Sequence, residues 1–331
     1  MRLADSVALG SQPDIATGFA QRLTRLQSAL PHHADKPNES ADATLRVLWH
    51  LAVGQALSVD SAANTALPLL DATALSRLDA LVLLRLSGQP LAHLSRRQHF
   101  MGLDMLVGPE ALIPRVETEL LGHTALTLLQ GVQRPMVLDL CTGCGNLALG
   151  LAHHAPEAQV WGGDLSADAV ALAQRNAHHL GLHERVDFRV GDLFAPFDEP
   201  ALRGQFDLIV CNPPYISSAK IDSLPAEIHQ HEPRLAFDGG PLGVSVLHRL
   251  LRDAALFLRV GGWLALEVGR GQGQSVVQRL RAQAGPNGAG SGSGAGAGQF
   301  ENPLSASDVA ANIRVVMARR AVNEVELAKL S

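Results

Sequence analysis

Apolar positions follow two different periods along the chain, and the change falls near residue 134. Before it, up to about residue 95, the spacing is helical. In "ATLRVLWHLAVGQAL", Leu45, Leu48, Trp49, Ala52 and Ala56 share one face. In "ALSRLDALVLLRLSG", Leu75, Leu78, Leu81, Val82 and Leu86 repeat the stripe, and Pro31, Pro37 and Pro68 punctuate the segment. Stripes of this kind bury against one another as a helical core. After residue 134 come short apolar runs that read as buried strands: "MVLDL" (136–140), "AQVWGGD" (158–164), "VDFRVGD" (186–192), "FDLIVCN" (206–212) and "GGWLALEVG" (261–269). Between them "NLALGLAHHA", "SADAVALAQRNAHHLG" and "GVSVLHRLLRDAALFL" read as helices. Alternating strands and helices predict an α/β domain with a mainly parallel, doubly wound sheet. Ligands then bind beyond the carboxyl ends of the strands, where the strand order reverses.

Composition narrows the classes. The chain has 331 residues, enough for two domains, and at 47% hydrophobic and 18% charged it is globular. A net charge of −5 gives no overall basic footprint, so direct nucleic-acid binding is not expected. No apolar run reaches the roughly 18 residues of a spanning helix, so no membrane association is expected. The N-terminus lacks the pattern of a signal peptide. Cys141, Cys144 and Cys211 are too few for a disulfide framework, and a cytoplasmic location is expected. The run "GPNGAGSGSGAGAG" (285–298) reads as a flexible insertion.

The chemistry concentrates at strand ends. "VLDLCTGCGN" (137–146) is a strand, an acid, a glycine-containing turn and a helix start. Gly143 and Gly145 allow close backbone approach, and the helix start offers free N–H groups. A phosphate loop needs a Lys that is absent, and G-x-G-x-x-G spacing is absent too. Asp139 disfavours an anionic pyrophosphate and suits a cation such as the ammonium of S-adenosylmethionine. Asp164 ends the second strand, where an acid accepts from ribose hydroxyls. Asp192, in "GDLF", is placed to meet an adenine amine. The C-x-x-C pair Cys141 and Cys144 lies inside this turn, which favours neither zinc nor redox work.

The fourth strand runs into Asn212-Pro213-Pro214-Tyr215, and Tyr215 is the only Tyr in the chain. Two prolines fix the turn. The Asn212 side-chain oxygen and the Pro213 carbonyl can both accept from a planar NH₂ group, with the Tyr215 ring against its face. Such a clamp activates a poor nucleophile by orientation rather than by a base.

Together these stretches resemble the HemK-type protein-glutamine methyltransferases. "SGQPLAHLSRRQHFMGLDMLVGPEALIPRVETELL" (87–121) is similar to the family's interdomain segment. "HEPRLAFDGGPLGVSVLHRLL", "GGWLALEVGRGQG" and "QFENPLSASDVAANIRVVMARR" (299–320) are similar to its later landmarks. The resemblance implies a class I S-adenosylmethionine-dependent methyltransferase fold, a Rossmann-like seven-stranded sheet behind a small helical N-terminal domain. The implied boundaries are 1–95 for a helical substrate-docking domain, 96–120 for the interdomain segment and 121–331 for the methyltransferase domain. It implies S-adenosylmethionine contacts at Cys141, Thr142, Gly143, Cys144, Gly145, Asp164, Leu193 and Asn212. Substrate contacts fall on Asn212, Pro213, Pro214 and Tyr215. The implied substrate is the Gln of the Gly-Gly-Gln motif of class 1 peptide-chain release factors. A Gln of a ribosomal protein, a nucleic-acid base or a small molecule stand as alternatives, because NPPY specifies a planar nitrogen only. Three positions depart from the family pattern: Cys141 and Ala311 stand where Gly is common, and Cys144 where Thr or Ser is commoner.

Overall fold

The structure, a computed structural model, describes residues 13–30, 36, 38–283 and 299–322. The Gly-rich run 285–298 lies outside the described residues. The chain divides into two compact units, Met1–Arg97 and Gln98–Ser331. Residues 98–120 thus fall within the second unit.

The first unit is helical: α1 (Pro13–Ala29), α2 (Ala41–Ala52), α3 (Val59–Ala63), α4 (Ala72–Leu86) and α5 (Leu91–Ser95). Side-chain oxygens start three of these helices. Ser40, Ser58 and Asp71 accept from Ala43, Ser61 and Ala74 N–H, and such caps each contribute about 1 kcal/mol. Leu45, Leu48, Trp49 and Ala52 are buried together with Leu78 and Val82, as the stripes require. Ala56 is not part of the stripe, because α2 ends at Ala52 and Gly54 (φ +87°) turns the chain away.

A hairpin follows, β1 (Arg97–Phe100), which begins at the last residue of the first unit, and β2 (Leu103–Leu106), then α6 (Val116–Leu128). There follow β3 (Met136–Leu140), α7 (Asn146–His154), β4 (Gln159–Asp164), α8 (Ala167–His179), β5 (Val186–Val190) and β6 (Phe206–Cys211). The chain closes with α9 (Ala226–His229), α10 (Ser245–Asp253), β7 (Leu258–Glu267), α11 (Gly273–Gln283), β8 (Phe300–Ser307) and β9 (Ile313–Arg320). The main sheet has seven strands in the order β5-β4-β3-β6-β7-β9-β8. β3 to β7 run parallel, and β9 pairs antiparallel with β7 and β8. Strands buried on both faces need continuous apolar runs. "LIVC" in β6 is wholly buried, and the two faces of the sheet carry separate apolar cores.

Three boundaries differ from the sequence reading. β5 stops at Val190, which leaves Gly191 and Asp192 in a loop under the Pro196 ring. The helix read over 243–258 is α10 alone, because a 3₁₀ turn over Ala254–Leu256 ends it. β7 starts at Leu258, three residues before the expected 261. None of these moves the strand order, which reverses between β3 and β6.

Candidate active site

A cavity of about 230 Å³ opens beyond the carboxyl ends of β3, β4, β5 and β6. Of the residues singled out in the sequence, Cys141, Thr142, Gly143, Asp164, Asp192, Leu193, Asn212 and Pro214 line it. Asp139, Cys144, Gly145, Pro213 and Tyr215 lie behind its wall.

The turn after β3 is organised by Asp139. This carboxylate is fully buried, and its Oδ2 accepts from Thr142 Oγ1 at 2.6 Å and Ala148 N–H at 3.1 Å. It therefore ties the turn to the first turn of α7. Its Oδ1 has no hydrogen-bond partner among the described residues. Burial pushes the Asp139 pKa up to about 7. Gly145 caps α7 at φ +83°, and a Cβ there would meet Phe188 at 2.8 Å. Burial raises the Cys144 thiol to about 12, which makes it an inert core group.

Asp164 locks the second strand end to the same turn. Its Oδ2 accepts from Gly143 N–H and its Oδ1 from Ser166 N–H, both at 2.9 Å. Burial raises its pKa, and these N–H donors oppose the rise. Asp192 stands half-exposed on the wall, with its Oδ2 bound by Arg249 at 2.7 Å. The other arginine on the wall, Arg115, is paired with Glu232. Glu232 is buried and also accepts from Ile113 N–H at 2.9 Å, so it joins the loop before α6 to the loop after α9.

The NPPY turn is anchored through Thr118, which itself lines the cavity, to side chains behind the wall. Asn212 Nδ2 donates to Thr118 Oγ1 at 3.2 Å. Thr118 Oγ1 donates to Glu267 Oε2 at 2.7 Å. Tyr215 O–H and Arg314 Nη2 donate to Glu267 Oε1 at 3.2 and 3.3 Å. Tyr215 thus faces a buried carboxylate, not the cavity. Burial pushes its phenol up to about 12, so it stays protonated and donating. Burial also raises Glu267, while Thr118, Arg314 and Tyr215 hold it back. The backbone of the turn rests on two glycines. A Cβ at Gly239 would stand 2.6 Å from Pro214 O, and one at Gly243 2.4 Å from Tyr215 O.

Sequence reading missed Thr118, Arg115, Glu232, Glu267 and Arg314. Glu267 carried a usable signal: it is an acid ending an apolar strand, as Asp164 is, and Asp139 stands one residue from the end of its own. Thr118 and Arg314 carried none, since their partners are 149 and 47 residues away.

The wall suits a cationic nucleoside. Its acids Glu110, Asp164, Asp192 and Asp238 outnumber its two arginines; Glu110, Asp192 and Asp238 pair with Arg175, Arg249 and Arg234, and Asp164 is held by backbone N–H donors. The glycine turn leaves room for a ligand, with only Ala111 near a Cβ built at Gly143, at 3.9 Å.

Comparison with known proteins agrees with this arrangement. The family model of the Methyltransferase small domain matches residues 119–244. A release factor glutamine methyltransferase of Moorella thermoacetica is 46% identical over 196 residues, 59% of this chain and 67% of that protein. Another, of Bradyrhizobium diazoefficiens, is 37% identical over 247 residues, 74% of this chain and 81% of that protein. The chain spans about two thirds of the length of the first three relatives, 64–67%. Among solved structures, the hMettl16 catalytic domain in complex with MAT2A 3'UTR hairpin 6 superposes with a TM-score of 0.51 at 14% identity. That match covers 68% of this chain and 77% of the other, and at this identity it speaks for the fold alone.

Proposed function

The chain belongs to the release factor glutamine methyltransferase family, and we propose that it methylates the side-chain amide nitrogen of the Gln in the Gly-Gly-Gln motif of class 1 release factors, using S-adenosylmethionine. One observation carries the reading: Asn212 stands on the wall of an acidic, glycine-turned cavity with its NH₂ group already engaged by Thr118. Its carbonyl oxygen is the group left to accept from a substrate amide.

The residues suited to the cofactor are Cys141 to Gly143, Asp164, Asp192, Leu193 and Asn212. Asp164, held rigid by two N–H donors, offers its remaining lone pairs to ribose hydroxyls. Asp139 acts from below, by shaping the turn. S-adenosylmethionine, when bound, supplies an electrophilic methyl on a positively charged sulfur.

An amide nitrogen is a weak nucleophile, so the protein's share of the work is orientation. Pro213, whose carbonyl the sequence offers as a second acceptor, is buried and does not line the cavity. Asn212 Oδ1, on the cavity wall, accepts one proton of the substrate NH₂. This aims the nitrogen lone pair and favours the partial positive charge that grows there. With the cofactor bound, methyl transfer to that nitrogen would release the sulfur as a neutral thioether and one N–H proton to solvent, while Asn212 holds the amide in place. Tyr215 serves by tethering the turn to Glu267. The helical unit, residues 1–95, is proposed to dock the protein substrate.

The test is to incubate the chain with labelled S-adenosylmethionine and a release factor, and to map the product by mass spectrometry. Label on the Gly-Gly-Gln glutamine, lost when that residue is changed to Ala, supports the proposal. Label on a ribosomal protein or a nucleic acid and none on the release factor overturns it.

A further inference from the structure

The orientation of the Asn212 carboxamide is decided two residues away. Oxygen and nitrogen of an Asn side chain are alike in shape, so only hydrogen-bond chemistry can choose which one faces the cavity. A carboxylate only accepts, and Glu267 Oε2 stands 2.7 Å from Thr118 Oγ1. The single hydroxyl proton of Thr118 is therefore committed to Glu267. What Thr118 then offers Asn212, at 3.2 Å, is a lone pair. Only the Asn212 NH₂ can meet it.

We infer that Glu267 and Thr118 are positioning residues that fix Asn212 with Oδ1 toward the cavity, as a one-way relay of hydrogen-bond direction from a buried carboxylate. The second oxygen of Glu267 is filled by donors from Tyr215 and Arg314. Of these neighbours Arg314 can only donate, and its charge favours the ionised carboxylate, so the hydroxyls of Thr118 and Tyr215 are left to donate to it. Glu267 is 2% exposed, so no solvent competes for it. A flipped Asn212 would set its NH₂ against the NH₂ of the substrate, donor to donor. The inference rests on the amide reading above for its consequence, but its geometry stands without a substrate.

Thr118→Val keeps the shape and removes the hydroxyl; Thr118→Ser keeps the hydroxyl. Single-turnover methylation of the release factor should fall about 10²-fold in Thr118→Val, the scale of a misplaced reacting group. Thr118→Ser should recover most of that loss. Cofactor affinity should fall much less than the rate in Thr118→Val, since orientation is the main loss. A packing defect would lower both variants alike and follow thermal stability. The second readout needs no substrate: hydrogen exchange of the Asn212 side-chain NH₂, assigned in labelled protein by its absence from Asn212→Asp. It should quicken at least about tenfold in Thr118→Val and stay slow in Thr118→Ser. Unchanged exchange in Thr118→Val overturns the relay whatever the enzyme methylates. Quickened exchange with a wild type inactive on glutamine keeps the relay and removes the substrate.

Discussion

Cys141 and Ala311 carry left-handed backbone, at φ +57° and +60°. They are the two positions where the family pattern commonly has Gly. A side chain there costs about 1–2 kcal/mol, whereas Gly adds about 0.4–1 kcal/mol of unfolded-chain freedom. Ala311→Gly should therefore stabilise the protein by about 0.5–1 kcal/mol in urea denaturation; a loss of stability would contradict the strain. Asp139 makes a larger claim. Its folded pKa of about 7 lies above the ordinary 3.8, so the fold favours the protonated acid. Its stabilising contribution is complete below the unfolded pKa and is lost as pH rises through 7. Asp139→Asn mimics the protonated form at every pH. The wild type should lose stability relative to this variant between pH 4 and 7, by up to about 4 kcal/mol. Urea midpoints that keep a constant gap across that range would remove Asp139 as a buried carboxylate.

At the scale of elements, β6 ends at a rigid turn held by side chains of α6, β7 and β9. Glu267 and Arg314 form a buried pair, 3% and 8% exposed. Removing one partner of such a pair strands the other charge, so Glu267→Ala should cost about 3–5 kcal/mol. A cost below 1 kcal/mol by denaturation would mean water already reaches the pair. The strands and the NPPY turn were legible because their signals are local: apolar runs, strand-end acids, consecutive prolines. The anchors were not, because Thr118, Glu267 and Arg314 are neighbours only after the sheet has formed. Tyr215 shows the limit most plainly. Its place in the turn predicts a ring against the substrate, and nothing local predicts that a carboxylate 52 residues on holds its hydroxyl. The other glycines of the region act through the same turn. Gly243→Ala would drive a Cβ into Tyr215 O at φ +69° and should lower turnover while cofactor affinity holds. Equal losses in both would place its effect on the whole fold.

At the scale of the molecule, strand order does what composition could not. It puts the glycine turn of β3, the acid of β4 and the amide of β6 on one rim, at the point where the order reverses. The doubly wound class was readable from the alternation of strands and helices. The closing antiparallel strands β8 and β9 were readable only through the resemblance, since nothing in their own pattern fixes their direction. Family membership names the chemistry, and the rim supplies a physical reason for it: an acidic cradle beside an oriented amide acceptor. That acceptor is the centre of the account. The direct measurement is single-turnover methylation of a release factor by the wild type and Asn212→Ala, with cofactor affinity measured alongside. Loss of one preorganised contact should lower the rate on the order of 10²–10³-fold, far more than it lowers cofactor affinity. A variant that transfers methyl at the wild-type rate would show that the turn holds no amide, and the account would be wrong.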